Sequence, residues 1–256
     1  MPGKNKIQHF SSLHQKKYRL LHQQFIAEGH KIVLEIIRQA YPCTHILASS
    51  SWFEANKKLV QNTGAALITC TVQEIKKISN LEAPQEVIAV CTIPEQQQIV
   101  PLKDELSLYL DKISDPGNLG TLIRLADWFG IRQVFACEQT VDWTNPKVIQ
   151  ASMGAFTRVQ VNRVVAPTFF EQVPRGTLVM AADLQGESIY QPGNAMQGIL
   201  IIGSEAHGIS TEIRPYVNTY MHIPRYPADS QAGESLNAAV AAALIIGELR
   251  RRLGLA

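Results

Sequence analysis

The stretch that decides the fold is SDPGNLGTLIRLADWFGI, residues 114–131. A Pro-Gly-Asn turn signal and a second glycine run straight into a helical pattern, in which Leu122, Ile123, Leu125, Ala126 and Phe129 form the apolar face. A strand candidate at 107–113 precedes it, and the helix is expected over 121–129. Asn118 can cap that helix, and Gly117 and Gly120 let a backbone approach a ligand closely. Arg124 stands one turn past Gly120, on the side of Trp128. Such a strand-to-helix turn is either a capped helix start with a surface Arg or a device for holding something anionic. It is not a Walker loop, because the Gly-Lys-Ser/Thr ending is missing.

Working outward, apolar strand candidates follow at 133–136, 177–182, 198–202 and 220–223, with helical patterns at 146–152 and 236–252. Near-continuous apolar strands separated by helices indicate a parallel sheet covered on both faces. In such sheets a ligand sits outside the carboxyl ends of the strands. Two further strand ends carry unusual chemistry there.

In GILIIGSEAHGIS (198–210) a fully apolar strand runs into Gly203, then Ser204, Glu205 and Gly208. A carboxylate at that point is costly unless paired, so Glu205 is expected to meet a cation such as an Arg. His207 reads as a solvent-facing loop residue, and no Gly-x-Ser-x-Gly is present to make a nucleophile elbow. In MHIPRYPADSQAGESLNAAVAAALIIGELRRR (221–252) a strand ends at Ile223-Pro224 and a long polar loop follows. Ser235 sits where a helix N-cap is expected, and Asn237 falls in the first turn, near the positive end of the dipole. The helix after it is apolar nearly all round and must be buried, with a second subunit as one candidate cover.

The 256 residues, 46% apolar and 18% charged, can bury a core, which excludes a disordered chain. No apolar run reaches the roughly 18 residues of a membrane span. The start is polar and basic, without the apolar stretch of a signal peptide, so a cytoplasmic protein with no membrane partner is expected. Cys43, Cys70, Cys91 and Cys137 are scattered, which reads as reduced thiols, and no metal is expected. The net charge of +2 is weak, but residues 1–40 hold seven Lys or Arg against two Glu. His9, His14, His22 and His30 lie among them, so this segment is either an arm for a phosphate backbone or a solvated helix face. The first part reads as a small α/β unit, with helices at 13–27, 31–40, 52–61 and 72–78 and strands at 45–48, 66–70 and 87–92. Pro94 to Pro101, with its run of Gln, reads as a linker.

No Gly-x-Gly occurs, so the dinucleotide fingerprint and the glycine loop of the common nucleotide-fold methyltransferases are both absent. A nucleoside-type cofactor held by backbone at the second and third loops is what remains.

The three segments, in this order, resemble the SpoU (TrmH) family of RNA 2′-O-ribose methyltransferases, within the SPOUT superfamily. Asn118, Gly120 and Arg124 match its Asn-x-Gly-x-x-x-Arg; Gly203, Glu205 and Gly208 match its second motif; Ile223, Pro224, Ser235, Leu236 and Asn237 match its Ile-Pro…Ser-Leu-Asn. NPKVIQASMGAF (145–156) also looks like a family stretch. The resemblance covers about 107–252, and the loop 225–234 is longer than the family's usual one. More loosely, residues 16–31 resemble the ribosomal-protein-like RNA-binding domain that several members carry.

The resemblance implies an α/β fold whose C-terminal parallel-sheet domain, 107–256, holds a deep trefoil knot. It is preceded by a smaller α/β RNA-binding domain, 1–95, and a linker, 96–106. It further implies a homodimer, S-adenosylmethionine as cofactor, and RNA as substrate, ribosomal RNA ahead of transfer RNA. Gly203, Ile223 and Leu236 would contact the cofactor, largely through backbone. Asn118, Arg124, Glu205, Ser235 and Asn237 would form the catalytic group, with Glu205 orienting Arg124. The rival readings are a non-enzymatic RNA-binding or ribosome-assembly protein with a vestigial cofactor site, and a hydrolase or nucleotide-binding regulator. The last lacks a placed nucleophile or phosphate loop.

Overall fold

The computed structural model describes residues 2–95, 100–101, 104–191, 197–227 and 235–254; part of the expected linker and most of the loop 225–234 lie outside these. The chain forms two compact units, Met1–Glu95 with Asp142–Arg158, and Gln96–Val141 with Val159–Ala256. The family-like stretch 145–156 thus packs with the N-terminal unit.

The first unit contains α1 (Lys4–Ser12), α2 (Lys16–His22), β1 (Gln24–Glu28), α3 (His30–Arg38), β2 (Cys43–Ala48), α4 (Ser50–Ala55), α5 (Lys57–Val60), β3 (Ala66–Thr69), α6 (Val72–Ile78) and β4 (Val87–Thr92). Its sheet runs β1-β4-β2-β3, with β4 antiparallel to both neighbours and β2 parallel to β3. The expected helix 13–27 is therefore corrected. Gln23 turns left-handed at φ 51°, which ends α2, and Gln24–Glu28 pairs as a strand. Phe25, Ile26 and Ala27 are fully buried, and a short apolar run fits a buried strand as well as a helix. Phe10, Leu13, Ile26, Leu47 and Ile88 pack one side of the core. On another, Phe25 meets Trp143 and Phe156 edge-on, so the returning segment is built into this unit.

Arg19 is 2% exposed and ties that segment down. It donates to Thr144 Oγ1 at 3.0 Å, to the Leu13 and His14 carbonyls, and to Asp142 Oδ2 at 2.7 Å. Burial pushes the Asp142 carboxyl up, but the bonds from Arg19 and Thr144 outweigh it and hold it below the usual Asp range. One member of the basic N-terminal segment is thus structural rather than free for a phosphate.

The second unit contains β5 (Leu106–Asp111), α7 (Pro116–Trp128), β6 (Gln133–Cys137), then, after α8 (Pro146–Ser152) of the first unit, β7 (Gln160–Val164), α9 (Ala166–Glu171), β8 (Val179–Ser188), β9 (Gly198–Gly203), β10 (Thr219–His222) and α10 (Ala238–Arg252). Its sheet is parallel throughout, in the order β10-β8-β9-β5-β6-β7. Edge strand β7, sequence QVNRV, carries too little apolar signal to be legible beforehand. The centre is aromatic and aliphatic: Tyr109, Phe135, Phe169 and Phe170 pack with Ala181, Ile199 and Ile201. α10 buries Ala238, Ala239, Ala242, Ile245, Ile246 and Leu249 and packs on α7, while Val240 and Leu244 stay exposed.

Candidate active site

Three strand ends meet at one cleft, as the parallel topology requires. The first is the β5–α7 turn. Asp115, not Asn118, caps α7: its Oδ1 accepts from the Asn118 N–H at 2.7 Å, and Pro116 takes the first helical turn. The Asp-Pro pair is the N-terminal signal that moves the helix start back from 121. Gly117 and Gly120 are accordingly helical residues, Gly120 buried, rather than turn glycines. Because Asp115 does the capping, the Asn118 side chain is free to reach across the cleft.

The second strand end is a tight hairpin after β9. Ser204 and Gly208 exchange backbone hydrogen bonds at 3.2 and 2.8 Å. Gly208 is left-handed at φ +62°, and a Cβ on Gly203 would lie 2.4 Å from the Gly208 backbone. Both glycines of the motif are thus explained by the hairpin itself. The buried Asp111, at the end of β5, anchors the loop by accepting the Ser210 N–H at 2.7 Å. This anchor escaped the sequence reading, in which Asp111 fell unremarked inside the strand candidate 107–113.

The third is the start of α10. Asn237, not Ser235, is the N-cap, its Oδ1 accepting from the Ala239 and Val240 N–H groups at 3.0 and 3.2 Å. Ser235 lies before the helix and donates to the Glu205 carbonyl at 3.3 Å.

These ends converge on Glu205. Its Oε1 accepts from Asn118 Nδ2 at 2.9 Å, Asn237 Nδ2 at 2.8 Å and the Ala238 N–H at 3.0 Å. Asn237 Nδ2 also donates to Asn118 Oδ1 at 2.8 Å. The expectation that Glu205 meets an Arg is overturned. Two side-chain amides and the positive end of a 15-residue helix compensate the carboxylate instead. Arg124 is exposed on α7 with Trp128 and is not bonded to Glu205; among the described residues it has no ion-pair partner.

The cleft encloses about 1010 Å³. Gly203, Glu205, Ile223, Ser235 and Leu236 line it, with Leu184, Ile202 and Met221 adding apolar surface. Asp183 also faces it, paired with Arg214 at 3.2 Å. His207 is exposed, as expected, and lies on the cleft wall. Of the eight candidate site residues, Gly203, Glu205, Ile223, Ser235 and Leu236 line the cleft, Asn118 and Asn237 reach it through Glu205, and Arg124 stands apart. Among the described residues no three His, Cys, Asp or Glu side chains converge as metal ligands, and no helix is long and apolar enough to cross a membrane.

Residues 105–247 match the SpoU rRNA Methylase family, and residues 4–89 match the MRM3-like substrate binding domain. The chain is 30% identical to the 23S rRNA (guanosine(2553)-2′-O)-methyltransferase RlmP of Bacillus subtilis, over 96% of both chains. Among solved structures, a TrmH-family protein from Porphyromonas gingivalis superposes with a TM-score of 0.84 at 35% identity, covering 98% of this chain and 99% of that one. An AdoMet-bound rRNA methyltransferase from Sinorhizobium meliloti gives 0.85 at 25% identity, covering 99% and 96%. The converging strand ends, the parallel sheet and a match over more than half of the chain lead to one assignment: this chain belongs to the SpoU rRNA methylase family.

Proposed function

We propose that the protein transfers a methyl group from S-adenosylmethionine to a ribose 2′-hydroxyl of structured RNA, with ribosomal RNA ahead of transfer RNA as substrate. The observation that carries this reading is the Glu205 network, which joins all three motifs at the mouth of one cleft. The cleft's chemistry fits the cofactor. Its apolar surface from Leu184, Ile202, Ile223 and Leu236 suits a base and a thioether chain. Glu205, which among the described residues has no cationic partner, suits a sulfonium. Gly203, Ile223 and Leu236 would hold the cofactor, which when bound supplies an electrophilic methyl.

The rest of the mechanism belongs to the chain's own side chains. Asn118 and Asn237 hold the Glu205 carboxylate in place through Oε1, leaving Oε2 for the substrate. Ser235 holds the Glu205 backbone. Arg124 is the charge stabiliser: a guanidinium keeps its proton, so it serves a developing alkoxide or flanking phosphate rather than acting as a base.

A homodimer completes this reading. Trp128 is 83% exposed on α7, and Val240 and Leu244 are exposed on α10, a face that a two-fold partner would cover beside Arg124. The C-terminal segment carries the family's trefoil knot, the N-terminal unit grips RNA through Lys16 and Lys17, and the protein works in the cytoplasm. Calorimetry with S-adenosylmethionine, followed by ribose-methylation mapping of total RNA with and without the gene, tests the proposal. Cofactor binding and one lost methylation site are expected; folded protein that binds no cofactor overturns it and favours the RNA-binding, non-enzymatic reading.

A further inference from the structure

Tyr226 follows Arg225 in the Pro224–Pro227 stretch and is 99% exposed. Among the described residues lining the cleft it is the one with a benzene ring. An aromatic side chain can bury about 150–250 Å² of surface, so leaving this one wholly in water forgoes a large favourable term. The proline that follows, Pro227, restricts the Tyr226 backbone to extended conformations, and a tyrosine has only two side-chain torsions to order on binding. The ring is an aromatic plate at the rim of the site, uncovered by the described residues.

We infer that Tyr226 is the stacking platform for a nucleobase of the RNA substrate at the mouth of the cleft; the inference rests on the methyltransferase reading above. A ribose hydroxyl held within a stacked helix cannot enter a concave site, so the target nucleotide must leave its stack. Proteins that read unstacked RNA replace the lost base–base contact with an aromatic ring, which accepts any base because every base has a π-face. The cofactor's own base is a poorer occupant. Ile202, 2% exposed, lies within the cleft, whereas a ring as open as Tyr226 would leave that base facing water. The exposed apolar residues offered to a second subunit stand on α7 and α10, elements other than the stretch that carries Tyr226.

The test compares wild type, Tyr226→Phe and Tyr226→Ala on ribosomal RNA purified from cells lacking the gene, with a labelled methyl donor. Light scattering and cofactor calorimetry are run on each variant. Tyr226→Ala should lower kcat/KM for RNA by roughly ten- to a hundredfold, as loss of a stacking aromatic does. Cofactor affinity and oligomeric state should be unchanged, and Tyr226→Phe should stay within about twofold of wild type because the ring is kept. Equal kcat/KM in the alanine variant overturns the inference. So does a phenylalanine variant as weak as alanine, a weakened cofactor affinity, or a change in oligomeric state. If the wild type methylates none of this RNA, the functional proposal fails, which is distinguishable from failure of the Tyr226 assignment.

Discussion

Asn237→Asp changes one side-chain nitrogen to oxygen and tests the network at its centre. The N-cap survives, because Asp caps as well as Asn and its charge suits the helix N-terminus. What changes is the polarity toward Glu205, where Nδ2 now donates to Oε1 at 2.8 Å. A second carboxylate about 3 Å away repels the first by roughly 1.4 kcal/mol at the dielectric of water and ~5.5 at an effective value of 20. These side chains are exposed, so the lower figure governs, and the lost amide bond adds about 0.5–1 kcal/mol after screening. The total, roughly 2 kcal/mol, corresponds to a fall in Tm of about 4–8 °C for a chain of this size.

The decisive variant is the double substitution with Glu205→Gln. Glutamine at 205 carries no charge, so the carboxylate–carboxylate repulsion is gone, while its oxygen can still accept the Asn118 Nδ2 and Ala238 N–H bonds that meet at Oε1. The structure predicts that the second change, harmful alone, recovers about 1–2 kcal/mol in the Asn237→Asp background, a coupling readable from urea denaturation of the four proteins. Strictly additive effects would mean that the 2.8 Å contact does not hold the site together, and the reasoning from Glu205 outward would fall.

Other outcomes follow from the same geometry. Arg124→Ala should cut methyl transfer by roughly a hundredfold or more with cofactor affinity unchanged, and partial activity in Arg124→Lys would favour charge stabilisation; wild-type turnover in the alanine variant removes Arg124 from the mechanism. Leu244→Glu, on the exposed face of α10, should yield a folded monomer by light scattering, whereas Ala242→Glu, on the buried face, should unfold the protein by several kcal/mol. A dimer that survives Leu244→Glu would rule out this face. Arg19→Ala should cost about 3–5 kcal/mol, since it strands a largely buried Asp142. Asp142 is depressed in the folded state, so its contribution is present above the unfolded Asp value, about 3.9, and is lost as pH falls through the folded one. Denaturation midpoints should drop in that acid range and drop less in Asp142→Asn; equal drops would refute the assignment.

Reading from residue to structure, the parallel sheet and the three strand ends were legible because buried strands between helices leave near-continuous apolar runs, and ligand loops interrupt them with glycine and polar residues. Asn118, Glu205 and Asn237 stood out for the same reason. The local caps were misassigned by a few positions: Asp115 outcompetes Asn118, and Asn237 outcompetes Ser235, choices between near-equivalent capping residues that the surrounding geometry makes. The helix read over 13–27 failed where tertiary burial overrode a period that four or five apolar residues cannot define.

What the sequence alone determined is the composition of the site: which residue types stand at which strand ends, and that their chemistry suits a nucleoside cofactor and an anionic substrate. What only the tertiary structure decided is who partners whom. Asn118 and Glu205 are 87 residues apart, Glu205 and Asn237 are 32, and no local pattern encodes a hydrogen bond across such distances. Electrostatics asked for a positive partner for Glu205, and an Arg was the natural expectation. The folded chain supplied a helix N-terminus and two amides, because α10 starts where β9 ends, and those dipoles were already there.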